Sequence, residues 1–125
     1  MTAPVGHMAA ESGRPECRRA DAGKARLDLI PVAPLWELAL LYQRGAEKYA
    51  VDNWRNGTTF RRAFAALLRH AFKWLAGQTR DPETGAHHLA AVAFWRFALI
   101  EWDSSHPELD DRVTDPTFER RGFPE

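Results

Sequence analysis

Three of the five histidines, His70, His87 and His88, gather around a loop that also holds Asp81. The run Arg69, His70, Lys73, Trp74, Gly77, Asp81, Thr84, Gly85, His87, His88 reads as a helix end, a polar loop and the start of the next helix. Imidazoles beside a turn-locked carboxylate can hold a metal ion or orient an attacking water. Asp81 opens Asp-Pro-Glu-Thr-Gly, where aspartate accepts backbone hydrogen bonds and proline fixes the next φ. Capping that turn is therefore the competing role for Asp81. The expectation is a catalytic group of His70, Asp81 and His88, with Asp81 and His88 as metal ligands. A structural role for His70, donating to a carbonyl at a helix junction, competes with this. His87 projects differently from His88 and is the weaker candidate. His7 and His106 lie in the ends of the chain and carry little weight.

A second constellation is basic. Lys24, Arg26, Lys48 and Arg69 are far apart in sequence, and if folding brings them together they suit a polyphosphate, guanidinium by paired hydrogen bonds and ammonium by compact charge. Taken singly, each is a solvent-facing cation. Tyr49, Asn53 and Trp54 follow Lys48 and could supply an aromatic surface and an amide for a nucleobase. Trp36, Trp95 and Trp102 are read as core or interface residues. Glu37 and Glu101 are secondary metal or acid-base candidates, against an ion pair as the simpler role. Leu99, Ile100 and Trp102 flank Glu101, so it is expected inside the apolar assembly, where a carboxylate needs a partner or a raised pKa.

These residues must be positioned by helices. Pro31 and Pro34 lead into a first helix that starts near Pro34 or Leu35, with Leu38, Leu41, Tyr42 and Tyr49 on its apolar side and Gly45 allowing a neighbouring backbone to approach. Thr58 or Thr59 can cap a second helix that ends at Leu75 or Ala76, where Gly77 takes a left-handed conformation. Its broad sector of Phe60, Phe64, Leu67, Leu68, Ala71, Phe72 and Leu75 predicts a core helix. The third helix is predicted to start between Gly85 and His88 and to run through Trp102, with His88, Val92, Trp95, Leu99 and Trp102 on one stripe. Thr117 to Arg121 could add one helical turn against a partner. Strand alternation, tandem repeats and heptads are missing from the sequence, so the fold class is all-α, three principal helices in a small bundle completed by oligomerisation.

Size and charge narrow the options further. At 125 residues the chain is one domain's worth, divided as a mostly disordered segment 1–25, a helical domain 26–105 and an extended tail 106–125 that could dock on a partner subunit. Gly6, His7 and Met8 look like a cloning remnant. A formal charge of zero argues against a polyanion-wrapping surface, and the short Arg61-Arg62 pair against a nucleic-acid groove. The lone Cys17 leaves no disulfide framework or thiolate zinc cluster and fits a cytoplasmic setting. Charges interrupt the apolar runs, so no membrane span is expected. HExxH, paired CxxC and glycine-rich phosphate-loop motifs do not occur, and nothing supports a serine nucleophile.

An ordered series of motifs remains: Lys24-Ala-Arg26-Leu-Asp28-Leu-Ile-Pro31, Gly45-Ala-Glu-Lys48-Tyr49, Asn53-Trp54 through Gly57, Arg69-His70 through Trp74, Gly77, and Asp81 through Thr84-Gly85 and His88. Over about residues 24–102 this series resembles the phage and bacterial dATP/dGTP diphosphohydrolase N-terminal family. The resemblance implies an all-helical, homodimeric or larger MazG-like domain that uses Mg2+ or Mn2+ to cleave a purine (deoxy)nucleoside triphosphate into monophosphate and pyrophosphate. The MazG-like acidic signature, clustered glutamates on one helix and Glu-x-x-Asp on another, is absent from the predicted helices. The alternatives are a non-catalytic nucleotide-binding regulatory or scaffold protein, or a structural interaction protein.

Overall fold

The structure, a computed structural model, describes residues 13–122. The readings made at Gly6, His7 and Met8 lie outside the described residues. The chain divides between Ile30 and Pro31 into two units. In the first, the Lys24 N–H donates to the Asp21 carbonyl at 3.0 Å. A 3-10 turn follows at Leu27–Leu29, and Arg26 grips Asp28 through two bonds of 2.7 and 2.6 Å.

The second unit holds α1 (Val32–Lys48), α2 (Phe60–Leu75), α3 (His88–Ser105) and the short α4 (Pro116–Arg121). The all-α expectation holds, with α1 to α3 forming a packed core of MazG-like character. α1 begins at Val32, so Pro34 sits within its first turn, where a missing N–H leaves no helical bond unmade. α2 and α3 pack most extensively because alanine lets their backbones approach: Ala63 and Ala98 are both fully enclosed, together with Phe60 and Trp102. Trp102 is only 1% exposed, so Trp102→Ala is expected to cost about 3–5 kcal/mol, read as a lower urea midpoint. A shift under about 1 kcal/mol would contradict its place at the centre of this core.

α2 departs from the core-helix expectation. It buries only Phe60 and Ala63, leaving Phe64, Phe72 and Leu75 at 48%, 62% and 72% exposure. Three helices cannot enclose so wide an apolar sector, and the excess faces outward. Trp36 is likewise exposed. The α2 N-terminus also departs. Thr59 occupies the cap position without a side-chain bond, and the Arg61 N–H donates instead to the Asp111 carboxylate at 2.8 Å. That supplies the capping acceptor from a segment remote in sequence.

The segment after α3 is tied down. Gly57, at φ +80, has room only for a hydrogen, since a Cβ there would lie 2.6 Å from Leu109 and 3.2 Å from His106. His106 Nε2 reaches the Arg55 carbonyl at 2.7 Å and its Nδ1 the Glu108 carboxylate at 3.0 Å. Though near the end of the chain, His106 clamps the turn after α3 (Pro107–Leu109) to the 3-10 turn after α1 (Asn53–Asn56), against the expectation that it carries little weight. No helix among the described residues is long and apolar enough to cross a membrane.

Candidate active site

α2 ends where the sequence predicted, with Gly77 at φ +101 and the Gln78 N–H donating back to the Lys73 carbonyl at 3.0 Å. The loop that follows is a miniature hairpin. The His88 N–H donates to Thr79 at 3.0 Å, the Asp81 N–H to Ala86 at 2.8 Å, and Arg80 pairs with His87 in an antiparallel bridge. Asp81 accepts from the Glu83 N–H at 2.8 Å. That backbone bond first, and Thr84 after it, hold the carboxyl below its ordinary range. Arg80 fastens the loop to α1 through Glu37 at 2.7 and 3.2 Å and donates to the Gly85 carbonyl at 3.0 Å. His87 caps α3, its Nδ1 accepting from the Leu89 N–H at 3.0 Å.

This scaffold aims one end of α1 at the loop. A cavity of about 260 Å³ is lined by Arg44, Lys48, His70, Asp81, Thr84 and Trp95 among others. Folding therefore unites Lys48, His70 and Asp81, three of the residues singled out in the sequence. It adds Arg44, which sequence reasoning missed. Arg44 stands one helical turn before Lys48, a spacing that places two like charges side by side, and this was the available signal. Its Nη1 is buried with no hydrogen-bond partner.

A second cavity of about 530 Å³ shares Gly45, Phe94 and Trp95 with the first and is lined by Tyr42, Tyr49, Asn53 and Trp54. The expected trio of Tyr49, Asn53 and Trp54 is thus brought together. Tyr42 stands edge-on to Trp54, with ring centroids 5.9 Å apart, and packs on Phe94 at 4.9 Å. Burial pushes the Tyr42 hydroxyl pKa up. Lys48 lines the smaller cavity while its ammonium lies 5.2 Å from the Tyr49 ring centre, which puts it at the junction of the two. Gly45 was read as a point of backbone approach. Instead, no atom lies within 4 Å of where its Cβ would stand, so its bareness keeps the shared wall open.

Glu37, Arg69, His88 and Glu101 line neither cavity. Arg69 is exposed on α2 and lines none of these cavities. Lys24 and Arg26 belong to the first unit, where Arg26 is engaged by Asp28. Glu37 is held by Arg80. Glu101, expected within the apolar assembly, is exposed: it lies at the edge of the α3 face that buries Ala98 and Trp102, since neighbouring residues on a helix point in different directions. His88 is fully buried, with Nδ1 2.9 Å from His70 Nδ1 and Nε2 2.7 Å from Gln78 Oε1. Both of its ring nitrogens are committed, leaving no lone pair for a cation. Among the described residues, no three His, Cys, Asp or Glu side chains stand close enough to hold a metal ion. The residues present therefore do not amount to a resident divalent-metal site.

The two histidine clusters act on stability in opposite senses. Burial first, and His88 second, press the His70 pKa below its ordinary 6.5, so the unfolded chain binds that proton more readily and stability falls as pH drops below about 6.5. The Glu108 hydrogen bond first, and the Arg55 carbonyl second, raise the His106 pKa. Its contribution is complete below 6.5 and is lost as pH rises through the folded-state value. A urea midpoint measured across pH 5 to 9 is expected to be highest near neutrality, with His70→Gln flattening the acid limb and His106→Asn the alkaline one. Unchanged limbs in both variants would contradict these assignments.

Two adjoining cavities, one lined by Arg44 and Lys48 and the other by Tyr42, Tyr49 and Trp54, thus lie side by side in an all-helical bundle. A family model described as dATP/dGTP diphosphohydrolase, N-terminal, matches residues 14–112, and the chain belongs to that family. No curated protein and no solved structure matches it.

Proposed function

We propose that the chain binds a purine deoxynucleoside triphosphate across the two cavities and hydrolyses it between the α and β phosphates, releasing monophosphate and pyrophosphate. The observation that carries this reading is the buried, unpartnered Nη1 of Arg44 in a cavity that Lys48 also lines. An unmet buried donor costs about 1–3 kcal/mol, more when charged, and a phosphate oxygen offers the charge-assisted bond that relieves it. The same anion removes the repulsion between Arg44 and Lys48. In the larger cavity, Tyr49 and Trp54 give planar apolar surface, and the Asn53 amide can both donate to and accept from a base edge. The family's name speaks of dATP and dGTP, which supports a purine.

His70 is assigned as the group that takes the proton of the attacking water, and Asp81 as the carboxylate that orients that water. The water oxygen bonds to the α phosphorus, its proton passes to His70, and the α–β bridging oxygen departs with pyrophosphate. Magnesium or manganese enters as part of the substrate, already on the triphosphate. Such ions keep several waters and need only one or two protein carboxylates. The outward-facing Trp36, Phe72 and Leu75 support a homodimer or larger assembly that would cover them.

A second reading, nucleotide binding without turnover, is favoured by the scarcity of clustered carboxylates among the described residues. The two are separated by a panel of nucleoside triphosphates with magnesium or manganese in which monophosphate, diphosphate, orthophosphate and pyrophosphate are measured separately. Pyrophosphate with matching monophosphate supports hydrolysis. Saturable binding without products supports the second reading, and neither binding nor products sinks both.

A further inference from the structure

His88 is fully buried, yet it faces two polar partners: Gln78 Oε1 at 2.7 Å from its Nε2 and His70 Nδ1 at 2.9 Å from its Nδ1. An amide oxygen only accepts, so His88 Nε2 must carry the proton of the first bond. A neutral His88 then has a bare lone pair at Nδ1, and the contact with His70 closes only if His70 Nδ1 is the donor. That leaves His70 Nε2 without a proton. His70 also lines the cavity of Arg44, Lys48 and Asp81, and among the described residues no protein group bonds its Nε2.

We propose that Gln78 and His88 are positioning residues that lock His70 in its Nδ1–H tautomer and so offer an unprotonated Nε2 to the phosphate cavity. The chain of bonds has one direction, from His70 Nδ1–H to His88 Nδ1 and from His88 Nε2–H to Gln78 Oε1. It keeps that direction when His70 Nε2 receives a proton, because the Nδ1–H donor is unchanged and the new positive charge strengthens its bond to His88. The backbone fixes the geometry, since the His88 N–H is bound to the Thr79 carbonyl beside Gln78. Burial, which lowers the His70 pKa, keeps that ring neutral at working pH. The catalytic value of this arrangement rests on the nucleotide reading above; the tautomer does not.

The test is a long-range proton–nitrogen NMR spectrum of the full chain with 15N-labelled histidine at neutral pH. His70 is expected to show a protonated Nδ1 and a bare Nε2, and His88 the reverse. Gln78 is an exposed residue, so Gln78→Leu removes the acceptor without opening the core. This variant is expected to mix the His70 tautomers and to lower kcat for dGTP by about 10–100-fold at unchanged KM. A wild-type His70 protonated at Nε2, or a Gln78→Leu spectrum identical to wild type, overturns the proposal. If the predicted tautomers are present but no nucleotide is hydrolysed, the lock stands and the nucleotide reading falls.

Discussion

Arg44→Ala is expected to abolish tight binding of a deoxynucleoside triphosphate while leaving the fold intact. In the free protein the Nη1 of Arg44 is buried with no partner. Truncation therefore deletes an unmet donor, which offsets the packing lost with the aliphatic stem. The urea midpoint is expected to hold or rise. In the complex the same group would meet a phosphate oxygen in a desolvated cavity. Removing one partner of such a pair costs about 2–5 kcal/mol, roughly 30-fold or more in Kd. Titration calorimetry with dGTP, beside urea melts of both proteins, separates the two effects. An unchanged Kd, or a fall in stability that matches the loss of binding, would show Arg44 to be a structural residue.

The second large effect is expected at His70. With its Nδ1 2.9 Å from His88 and its ring lining the cavity of Arg44 and Lys48, His70 has one ring nitrogen left for chemistry. His70→Gln is expected to lower kcat by about 10²–10⁴-fold, the range for removing a general base, with KM shifted by no more than about threefold, because the proposal assigns the phosphates to Arg44 and Lys48. Steady-state kinetics under saturating dGTP decides it. A rise in KM with kcat preserved would place His70 among the binding groups and leave the proton without an acceptor.

Much of this arrangement is legible from local pattern. The α3 stripe through His88 and Trp102 and the Gly77 stop follow helical period and backbone sterics, and these depend only on neighbours in sequence. Lys48, His70 and Asp81 were singled out for their chemistry, and their meeting required the fold. What stayed hidden depends on pairings between distant segments. Asp111 caps α2 from far along the chain, so Thr59 looked like the cap because it occupies the right place. His106 looked free because the carbonyl of Arg55, its anchor, precedes it by 51 residues. Glu101 was judged by the apolar residues around it in sequence, although adjacent residues on a helix point in different directions. Arg44 was passed over for Arg69, because burial without a partner distinguishes the two and composition cannot express burial.

The acidic groups follow the same logic. Glu37 carries the right chemistry for a metal, yet Arg80 claims both of its oxygens. That pair fastens the loop of Asp81 to α1. The likeness to a family of nucleotide hydrolases was visible in ordered motifs, and the family match over residues 14–112 bears out that likeness.

The most direct measurement is 31P NMR of dGTP incubated with the protein and magnesium in 18O-enriched water. Attack at the α phosphorus predicts dGMP carrying one labelled oxygen and unlabelled pyrophosphate. Labelled orthophosphate beside dGDP, or intact dGTP that the protein neither binds nor cleaves, would contradict the account.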